Sequence, residues 1–207
     1  MVYYPVRGAL LNRIFSFKAF SFTFDCVQKN IVNKNIKKIA IVGPESTGKS
    51  TMSQLLAKHY HVSWVPEYAR YYCENLVTDY TLQDEINMYY GQVALEDAIL
   101  VTTLSDFIIC DTTFVTVKIW SDEVLGETPE VVLKALPKRP YDLYLLMDID
   151  LPWQDDPLRD FPEKREYFMQ VWHKELQALN ANYKVIGGLG NERLANAIAA
   201  IDDFLGL

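Results

Sequence analysis

The sequence contains few of the residues from which disulfide frameworks and metal clusters are built. Among its 207 residues are three cysteines, Cys26, Cys73 and Cys110, and three histidines. The cysteines are odd in number and widely spaced, and no C-x-x-C pair occurs, so they predict neither a disulfide framework nor a cysteine-ligated metal site. Scattered reduced thiols are typical of a cytoplasmic protein, and we expect that location.

Long apolar runs and excess positive charge are also missing. No stretch of about 18 or more apolar residues occurs, which argues against a transmembrane helix. The formal net charge of -7 provides no overall attraction to nucleic acid or to anionic membranes. We therefore expect neither partner, although this charge is compatible with a local site for an anionic ligand.

The first 35 residues differ in composition from the rest. They carry five basic residues against one acidic residue, Asp25, and they are rich in Phe and Tyr. They lack the clean apolar core and the small-residue cleavage site of a signal peptide, and their serine content is modest for a transit peptide. We expect residues 1–35 to be a nonessential amino-terminal extension, and residues 36–207 to form the functional domain.

Short apolar segments alternate with segments of helical pattern along residues 36–207. The predicted strands are residues 36–42, 62–65, 107–110, 141–147 and 183–186. The predicted helices are residues 50–60, 67–75, 81–102, a segment from 114, 129–136, 163–179 and 191–204. This alternation predicts an α/β fold, with a five-stranded parallel sheet and helices on both faces. Ligands of such sheets bind at the carboxyl ends of the strands.

The segment after the first predicted strand matches a phosphate-binding loop. Residues 43–50, GPESTGKS, fit the pattern G-x-x-x-x-G-K-[ST] without a mismatch, between a strand and a helix. Gly43 and Gly48 let the backbone turn its N–H groups toward phosphate oxygens. Lys49 supplies a mobile positive charge, and Ser50 offers its hydroxyl to Mg²⁺. The pattern predicts binding of ATP or GTP with Mg²⁺, through Gly43, Glu45, Ser46, Thr47, Gly48, Lys49, Ser50 and Thr51.

An acidic residue, Asp111, ends the third predicted strand, FIIC. A carboxylate at this place is the expected second acid of a phosphate-loop enzyme, which holds Mg²⁺ through its water shell. The alternative is an aspartate that caps the following helix. Because a phosphate loop lies upstream, we favour the metal role and predict Ser50 and Asp111 as the metal site.

The motif PEYAR, residues 66–70, follows the second predicted strand. Glu67 could accept the proton of a substrate hydroxyl as general base, or bind ribose hydroxyls. Arg70 lies one turn later on the same helix face and could clamp substrate or phosphate. The alternative is an ordinary surface ion pair between residues three apart. Placement at the carboxyl edge of the sheet favours a functional role.

Three further residues are candidates for contacting an aromatic base. Trp64 and Tyr68 could stack on it, although aromatic residues near a strand end more often belong to the core. Gln92, in the middle of a predicted helix, could hydrogen-bond a base or a ribose. The alternative for Gln92 is a solvent-exposed side chain.

Residues 151–165, LPWQDDPLRDFPEKR, are broken by prolines and then become strongly charged. Phosphoryl transfer requires a site that excludes water, so a mobile lid is expected. Arg159 could close over the phosphates and stabilise charge in the transition state, which makes Lys49, Glu67 and Arg159 the predicted catalytic set. The charge pattern alone favours a surface loop whose aspartates pair with its basic residues.

These motifs together resemble a known family. GPESTGKST, PEYAR, CDTTFVT and LPWQDDPLRD, in this order, are similar to the ribosylnicotinamide kinase domain of NadR-type NAD-biosynthesis proteins, over roughly residues 36–205. The resemblance implies transfer of the ATP γ-phosphate to the 5′-hydroxyl of nicotinamide riboside, a small-molecule nucleoside. It assigns ATP and Mg²⁺ to Lys49, Ser50 and Asp111, the substrate side to Glu67 and Arg70, and the lid to Asp156 with Arg159. With Tyr68, Gln92 and Asp156, the predicted substrate-binding set is Glu67, Tyr68, Arg70, Gln92 and Asp156.

Two departures from the family pattern affect the prediction. The bifunctional relatives carry an adenylyltransferase domain before the kinase, whereas about 35 residues precede it here and no H-x-G-H motif occurs. We therefore expect neither adenylyl transfer nor DNA-binding repression. The base-binding aromatic residues do not match around Trp64–Tyr68, which leaves open a kinase for another nucleoside or nucleotide, or an NTP-hydrolysing regulatory module. A homo-oligomer is compatible with the sequence.

Overall fold

The computed structural model describes residues 35–78 and 80–207, and the predicted amino-terminal extension lies outside these residues apart from Asn35. Five strands form one sheet: β1 Lys37–Val42, β2 Trp64–Val65, β3 Phe107–Asp111, β4 Leu143–Met147 and β5 Tyr183–Ile186. The α-helices are α1 Lys49–Tyr60, α2 Tyr68–Glu74, α3 Leu82–Thr102, α4 Phe114–Trp120, α5 Glu130–Ala135, α6 Arg165–Ala178 and α7 Asn191–Leu205. A π-helical turn, Ser121–Leu125, follows α4, and a 3₁₀ turn, Pro162–Lys164, precedes α6.

The sheet has the strand order β2-β3-β1-β4-β5, and every neighbouring pair is parallel. The predicted five-stranded parallel sheet is therefore confirmed. Ile41 of β1 pairs in register with Asp111 of β3 and with Leu145 of β4. This register brings the carboxyl ends of the three central strands to one edge, where the phosphate loop leaves β1.

Helices cover both faces of the sheet because its strands are apolar on both sides. Ile39 and Ile41 face a core that includes α1 and α7, whereas Ala40 and Val42 face a core formed with α3, α4 and α6. All four side chains are fully buried. A strand buried on both faces has no polar alternation, which is why β1 appears in the sequence as a continuous apolar run.

The second strand is shorter than predicted, for a local reason. The second strand begins at Trp64 and not at residue 62, because α1 ends in a left-handed turn at His61 and Val62 still donates to the carbonyl of Ala57. The π-helical turn was not predicted. The predicted start of α3 is confirmed, since Thr81 and Asp84 form a capping box.

A buried carboxylate ties α3 to the far edge of the central strands. Glu96 is fully buried and accepts from Lys38 Nζ at 3.0 Å, Arg139 Nη2 at 3.1 Å and the Tyr141 hydroxyl at 2.7 Å. A buried charge is tolerated when it is paired and hydrogen-bonded in this way. Within the described part of the chain, no helix combines the length and the apolarity that crossing a membrane requires.

Candidate active site

The phosphate loop joins the end of β1 to the start of α1, and both of its glycines are required by the geometry. Gly43 has φ 137°, and a Cβ there would lie 2.8 Å from the carbonyl oxygen of Met147. Gly48 has φ 77° and ends the loop at the amino terminus of α1. A side chain at either position would strain the backbone. The loop therefore has the shape in which N–H groups converge on an anion.

Lys49 lies at the centre of the loop among three carboxylates. Its ammonium group donates to the carbonyl of Pro44 at 2.8 Å, which folds the side chain back over the loop. Burial lowers the pKa of Lys49, and the carboxylates of Glu67, Asp111 and Glu45 oppose that shift. The predicted phosphate-binding lysine thus points into the site, where an incoming phosphate would add to the charges that stabilise its ammonium form.

Asp111 ends β3 beside the loop, and its carboxylate is buried without a full set of partners. Only 1% of the residue is exposed, and Oδ1 has no hydrogen-bond partner among the described residues. Burial raises the pKa of Asp111 to about 6, helped by nearby Glu67 and opposed by the Ser50 hydroxyl and Lys49. The alternative of a helix cap is wrong, because Thr113 caps α4 by accepting from Val115 N at 3.2 Å.

The residues around Asp111 fit a Mg²⁺ ion. An orphaned buried carboxylate oxygen next to the Ser50 hydroxyl is the donor set that Mg²⁺ uses together with waters and phosphate oxygens. Within the described ranges no group of three His, Cys, Asp or Glu side chains forms a cage for a metal. A Mg²⁺ ion with so few protein ligands would take its remaining ligands from waters and from the phosphate oxygens of a bound nucleotide.

Glu67 and Arg70 stand where the sequence predicted them, at the carboxyl end of β2. Glu67 occupies the cap position of α2, and its charge acts on both Lys49 and Asp111. Arg70 pairs with Asp156 of the proline-broken segment at 3.2 Å and with Glu74 at 3.8 Å. The ion pair between Glu67 and Arg70, offered as the alternative, is not formed among the described residues. Arg70 instead joins α2 to the segment that contains Asp156.

Gln92 has a buried position that the sequence did not indicate. It is 4% exposed, so the alternative of a solvent-exposed side chain is wrong. Its Oε1 accepts from the backbone N–H of Tyr68 at 2.8 Å, and its Nε2 donates to the carbonyl of Pro66 at 3.2 Å. Gln92 therefore holds the turn that carries Glu67. Its predicted contact with substrate remains a prediction.

Tyr68 is not brought to the site with its neighbours. Its ring lies on Gly91 of α3, where a Cβ would meet the ring carbon Cε1 at 2.1 Å. Tyr68 is absent from the residues that line the two cavities described below. Trp64 packs among the core residues under α1. The predicted stacking of a base on Tyr68 or Trp64 is thus not supported by the arrangement.

The contact between Tyr68 and Gly91 yields a testable prediction on stability. We expect Gly91→Ala to destabilise the protein by about 1–3 kcal/mol, because the new methyl group overpacks the Tyr68 ring. In a Tyr68→Ala background the same change should stabilise it by up to about 1 kcal/mol, because alanine is the better helix former. Urea unfolding of the four proteins measures both effects. An equal effect of Gly91→Ala in the two backgrounds would contradict the proposed contact.

The segment predicted as a lid, residues 151–165 and called the lid segment below, lies against the phosphate loop. The N–H of Gln154 donates to Ser46 Oγ at 2.8 Å, and the N–H of Phe161 donates to Glu45 Oε2 at 3.3 Å. Arg159 hydrogen-bonds the carbonyl of Gln154, and its guanidinium lies 3.9 Å from Asp156. Asp156 therefore joins the lid segment to Arg70 of α2, and it also pairs with Arg159 within the segment. The surface-loop alternative predicted that aspartates of this segment pair with its basic residues, and Asp156 and Arg159 form such a pair. This pair nevertheless lies next to the phosphate loop.

Two cavities meet at the phosphate loop. The phosphate-loop cavity, about 580 Å³, contains the loop residues Ser46–Thr51, Arg159 and Arg193. The aromatic cavity, about 370 Å³, extends from Glu67 to Trp120 and Trp172. The two share the residues Glu45, Lys49, Glu67, Arg70 and Leu158. A group held by Lys49 in one cavity would therefore face a group held near Glu67 in the other.

Several residues of these cavities were missed by sequence reasoning. Arg193, at the start of α7, is 3% exposed, donates to the carbonyls of Asp148 at 2.7 Å and Thr47 at 3.2 Å, and pairs with Asp150. In the aromatic cavity the missed residues are Tyr80, Glu85, Thr116 and Trp120. Glu85 follows Asp84 in the first turn of α3, where acidic residues are common helix-start signals, so no local pattern distinguishes it.

A parallel sheet whose central strand leads through a glycine loop into a helix, with a second acid on the adjacent strand, defines a P-loop nucleotide-binding protein. More particularly, the chain belongs to the AAA domain family, whose model matches residues 38–193.

Curated relatives agree with the resemblance seen in the sequence. The chain is 28% identical over 130 residues to the trifunctional NAD biosynthesis/regulator protein NadR of Salmonella typhimurium, covering 60% of this chain and 31% of that protein. It is 28% identical over 156 residues to NadR of Escherichia coli, covering 72% of this chain and 37% of that protein. The chain thus spans about a third of the length of these relatives.

Solved structures share the fold. A NadR protein in complex with NR superposes with a TM-score of 0.72 at 19% identity, covering 92% of this chain and 59% of that one. Thymidylate kinase from Ehrlichia chaffeensis gives 0.60 at 14% identity, covering 81% and 99%. Deoxyadenosine kinase from M. mycoides gives 0.53 at 15% identity, covering 80% and 99%. At these identities the likeness establishes the fold alone.

Proposed function

We propose that this chain is an ATP-dependent kinase that transfers the γ-phosphate to the 5′-hydroxyl of nicotinamide riboside, giving nicotinamide mononucleotide. The observation that carries the proposal is the meeting of the two cavities between Lys49 and Glu67. The phosphate-loop cavity suits a nucleoside triphosphate, and the aromatic cavity suits a small nucleoside. Support comes from the NadR relatives, from the NadR structure with NR, and from a second NadR structure that contains NAD and AMP-PNP.

The phosphate-loop residues would hold ATP. The N–H groups of residues 43–50 and the Lys49 ammonium would bind the phosphates, while Ser50 and Asp111 would hold Mg²⁺. The ion, when bound, neutralises charge that develops on the phosphate oxygens. Lys49 stays charged in this environment because the phosphates favour its ammonium form.

Glu67 would orient the acceptor hydroxyl and take its proton. It lines both cavities, and its charge reaches Lys49 and Asp111. A general base must lie within hydrogen-bond reach of the proton that it removes, and the junction of the cavities is where that hydroxyl would lie. Arg70 and Asp156 lie on the same side and would hold the lid segment over the acceptor.

Arg159 and the lid segment would exclude water and stabilise the transferring group. Arg159 lines the phosphate-loop cavity, and its side chain is 20% exposed. A guanidinium next to a transferring phosphoryl group compensates the charge that spreads over its oxygens. Closure of the lid segment on Ser46 and Glu45 would keep ATP from reacting with water.

The base role of Glu67 can be tested with an isosteric change. We expect Glu67→Gln to lower kcat about 10²-fold or more, because general-base catalysis contributes a factor of this size. Glu74→Gln is the matched control, since Glu74 lies on the same helix and also pairs with Arg70. Initial rates at saturating ATP measure the effect. A rise in KM for the nucleoside with normal kcat would replace the base role by a binding role.

An assay of ATP consumption with Mg²⁺ across a panel of nucleosides tests the activity itself. Phosphorylation of nicotinamide riboside well above other nucleosides, read by mass spectrometry, is the expected result. Transfer to another nucleoside or to a nucleotide would keep the mechanism and change the substrate. Hydrolysis of ATP without a phosphorylated acceptor would indicate an NTP-hydrolysing regulatory module instead. Replacing ATP by GTP in the same assay determines the donor.

The proposed setting is the cytoplasm, with a small-molecule nucleoside as partner and with neither nucleic acid nor membrane. The free thiols of Cys73 and Cys110 are compatible with a reducing compartment. A homo-oligomer remains compatible with this function.

A further inference from the structure

Glu85 is an acidic residue in the wall of the aromatic cavity. It lies in the first turn of α3, is 1% exposed, and shares the cavity with Leu76, Met88 and Trp120. Most of that wall is apolar or aromatic. An ionisable group buried in such a wall requires an explanation, because burial of a carboxylate costs free energy unless a partner compensates it.

Glu85 has a hydroxyl partner but no cationic partner among the described residues. The Tyr80 hydroxyl donates to it, whereas the nearby buried hydroxyl of Ser121 has no hydrogen-bond partner among the described residues. In residues 35–78 and 80–207, no basic side chain forms an ion pair with Glu85, whereas Glu96 on the same helix pairs with Lys38 and Arg139. The protein thus pairs one buried glutamate of α3 and leaves the other, which faces the cavity, without a positive charge.

The helix does not need Glu85 for its own start. Asp84 fills that role, because its carboxylate accepts from the N–H of Thr81 at 2.8 Å and from the Tyr72 hydroxyl at 2.7 Å. Burial raises the pKa of Glu85 to about 7, opposed by the hydrogen bond from Tyr80. Near neutral pH the side chain therefore stands between its neutral and ionised forms, and a cation in the cavity would favour the ionised form.

An aromatic ring lines the same cavity as this carboxylate. It belongs to Trp120, at the end of α4. Phe161 and Phe168 pack on Trp120, with ring centroids at 5.4 Å and 6.2 Å, and hold it in place. The face of a tryptophan attracts a flat cation and also stacks on an aromatic ring. Trp120 and Glu85 together therefore suit a ring that is both flat and positively charged.

We propose that Glu85, with Trp120, selects an acceptor whose ring carries a positive charge, such as an N-linked pyridinium, over nucleosides with neutral bases. The inference rests on the proposed function for the position of the acceptor, and it adds the side chains that distinguish a charged ring from a neutral one. Glu85 is a specificity-determining residue in this scheme, because it contacts the ring and not the reacting hydroxyl.

Two ribosides that differ only in ring charge provide the test. Nicotinamide riboside carries the cationic ring nitrogen, and its C-riboside analogue, 3-carbamoylphenyl riboside, has a neutral carbon at the same place. We expect the wild-type protein, in calorimetry at pH 8, to bind the cation at least about tenfold more tightly than the isostere, since a desolvated charge pair favours the matching charge. Equal binding of the two ribosides by the wild type would overturn the inference.

Glu85→Gln should reduce that preference to about one, because the amide keeps the shape but not the charge. The control is Asp84→Asn, which removes the neighbouring carboxylate and should preserve the preference. Loss of affinity for both ribosides by the same factor in Glu85→Gln would indicate a structural role and overturn the inference. If this variant fails to fold, as read by thermal unfolding, Tyr80→Phe replaces it and should weaken the preference, because the ionised Glu85 loses a donor; an unchanged preference would overturn the inference.

The pH dependence of binding is an independent readout. With a pKa of about 7 for Glu85, the affinity for the cation should fall about tenfold between pH 8 and pH 6, because the ionised fraction falls by that factor. The neutral isostere should show no such fall. The titratable groups around Glu85 are Cys73 and Tyr80, whose pKa values burial raises, and Asp84, whose pKa is lowered. None of these three changes charge between pH 6 and pH 8.

Two carboxylates at the phosphate-loop end of the site also have raised pKa values, Asp111 at about 6 and Glu45, both through burial. The fall in affinity should therefore disappear in Glu85→Gln; a fall that persists in this variant, or a parallel fall for both ribosides, would contradict the inference.

Failure of the proposed function and failure of the inference give different results. If neither riboside is phosphorylated but the cation binds selectively through Glu85, the kinase proposal fails and the cation-selective cavity stands. If nicotinamide riboside is phosphorylated but the isostere is bound and phosphorylated equally well, the kinase stands and the selection by Glu85 is wrong.

Discussion

Replacing Lys49 by alanine is expected to lower kcat for phosphoryl transfer by about 10³-fold, the size of the loss when a preorganised charge at a transition state is removed. Lys49 lies among Glu45, Glu67 and Asp111 at the junction of the two cavities. Without its ammonium the three carboxylates would lose the cation that lies among them and would repel the triphosphate more strongly. We therefore expect both weaker ATP binding and slower transfer, measured by calorimetry and by initial rates.

The fold should survive this change. Burial disfavours the charged form of Lys49, as its lowered pKa indicates, and within the described residues its ammonium donates only to the carbonyl of Pro44 in the same loop. Thermal unfolding of Lys49→Ala without nucleotide should therefore resemble that of the wild type. Lys58→Ala is the matched control, since Lys58 lies on the exposed side of the same helix. Retention of more than about a tenth of the activity by Lys49→Ala would contradict the assigned site. A loss of less than about tenfold is far smaller than the loss expected when a charge that stabilises the transition state is removed.

Asp111→Asn is expected to produce the second large loss, about 10²- to 10³-fold in kcat at a fixed low Mg²⁺ concentration. The amide has the same shape as the carboxylate but lacks the charge that Mg²⁺ and its waters require. Part of the activity should return as the Mg²⁺ concentration rises. Rates measured across a Mg²⁺ titration separate this effect from a general loss of activity.

The same substitution should stabilise the protein in the absence of metal. Burial raises the pKa of Asp111 to about 6, so the ionised carboxylate is costly at pH 8 while Oδ1 has no partner among the described residues. A neutral amide avoids that cost. We expect the midpoint of thermal unfolding in EDTA to rise for Asp111→Asn, whereas Asp203→Asn, at an exposed position, should leave it unchanged. Lower stability together with unaltered Mg²⁺ dependence would indicate that Asp111 only supports the fold.

Much of the fold and the nucleotide side of the site could be predicted because their signals are local. The phosphate loop is defined by glycines and a lysine at fixed spacing, and the apolar strands have a pattern that depends on adjacent residues alone. Parallel topology then places Asp111 and Glu67 near the loop without further information. Both residues lie there in the structure.

The acceptor side could not be predicted with the same success. Gln92 was predicted to bind substrate, with a solvent-exposed side chain as the alternative. It is buried, because it hydrogen-bonds the turn at residues 66–68 from the following helix. Tyr68 was expected at the site and lies on Gly91 instead. Each outcome depends on how α2 packs on α3, which a helical pattern in either segment does not specify.

The sequence by itself determined the class of chemistry, since a phosphate loop between a strand and a helix has one established physical use. Only the tertiary structure decided which side chains form the acceptor cavity. The helix α3 contains three acidic residues with different roles: Asp84 caps the helix, Glu85 lines the cavity and Glu96 pairs with Lys38 in the core. Their roles differ because each has different neighbours in the folded protein. Neighbours along a chain set local conformation, whereas burial and charge pairing are set by residues that only folding brings together.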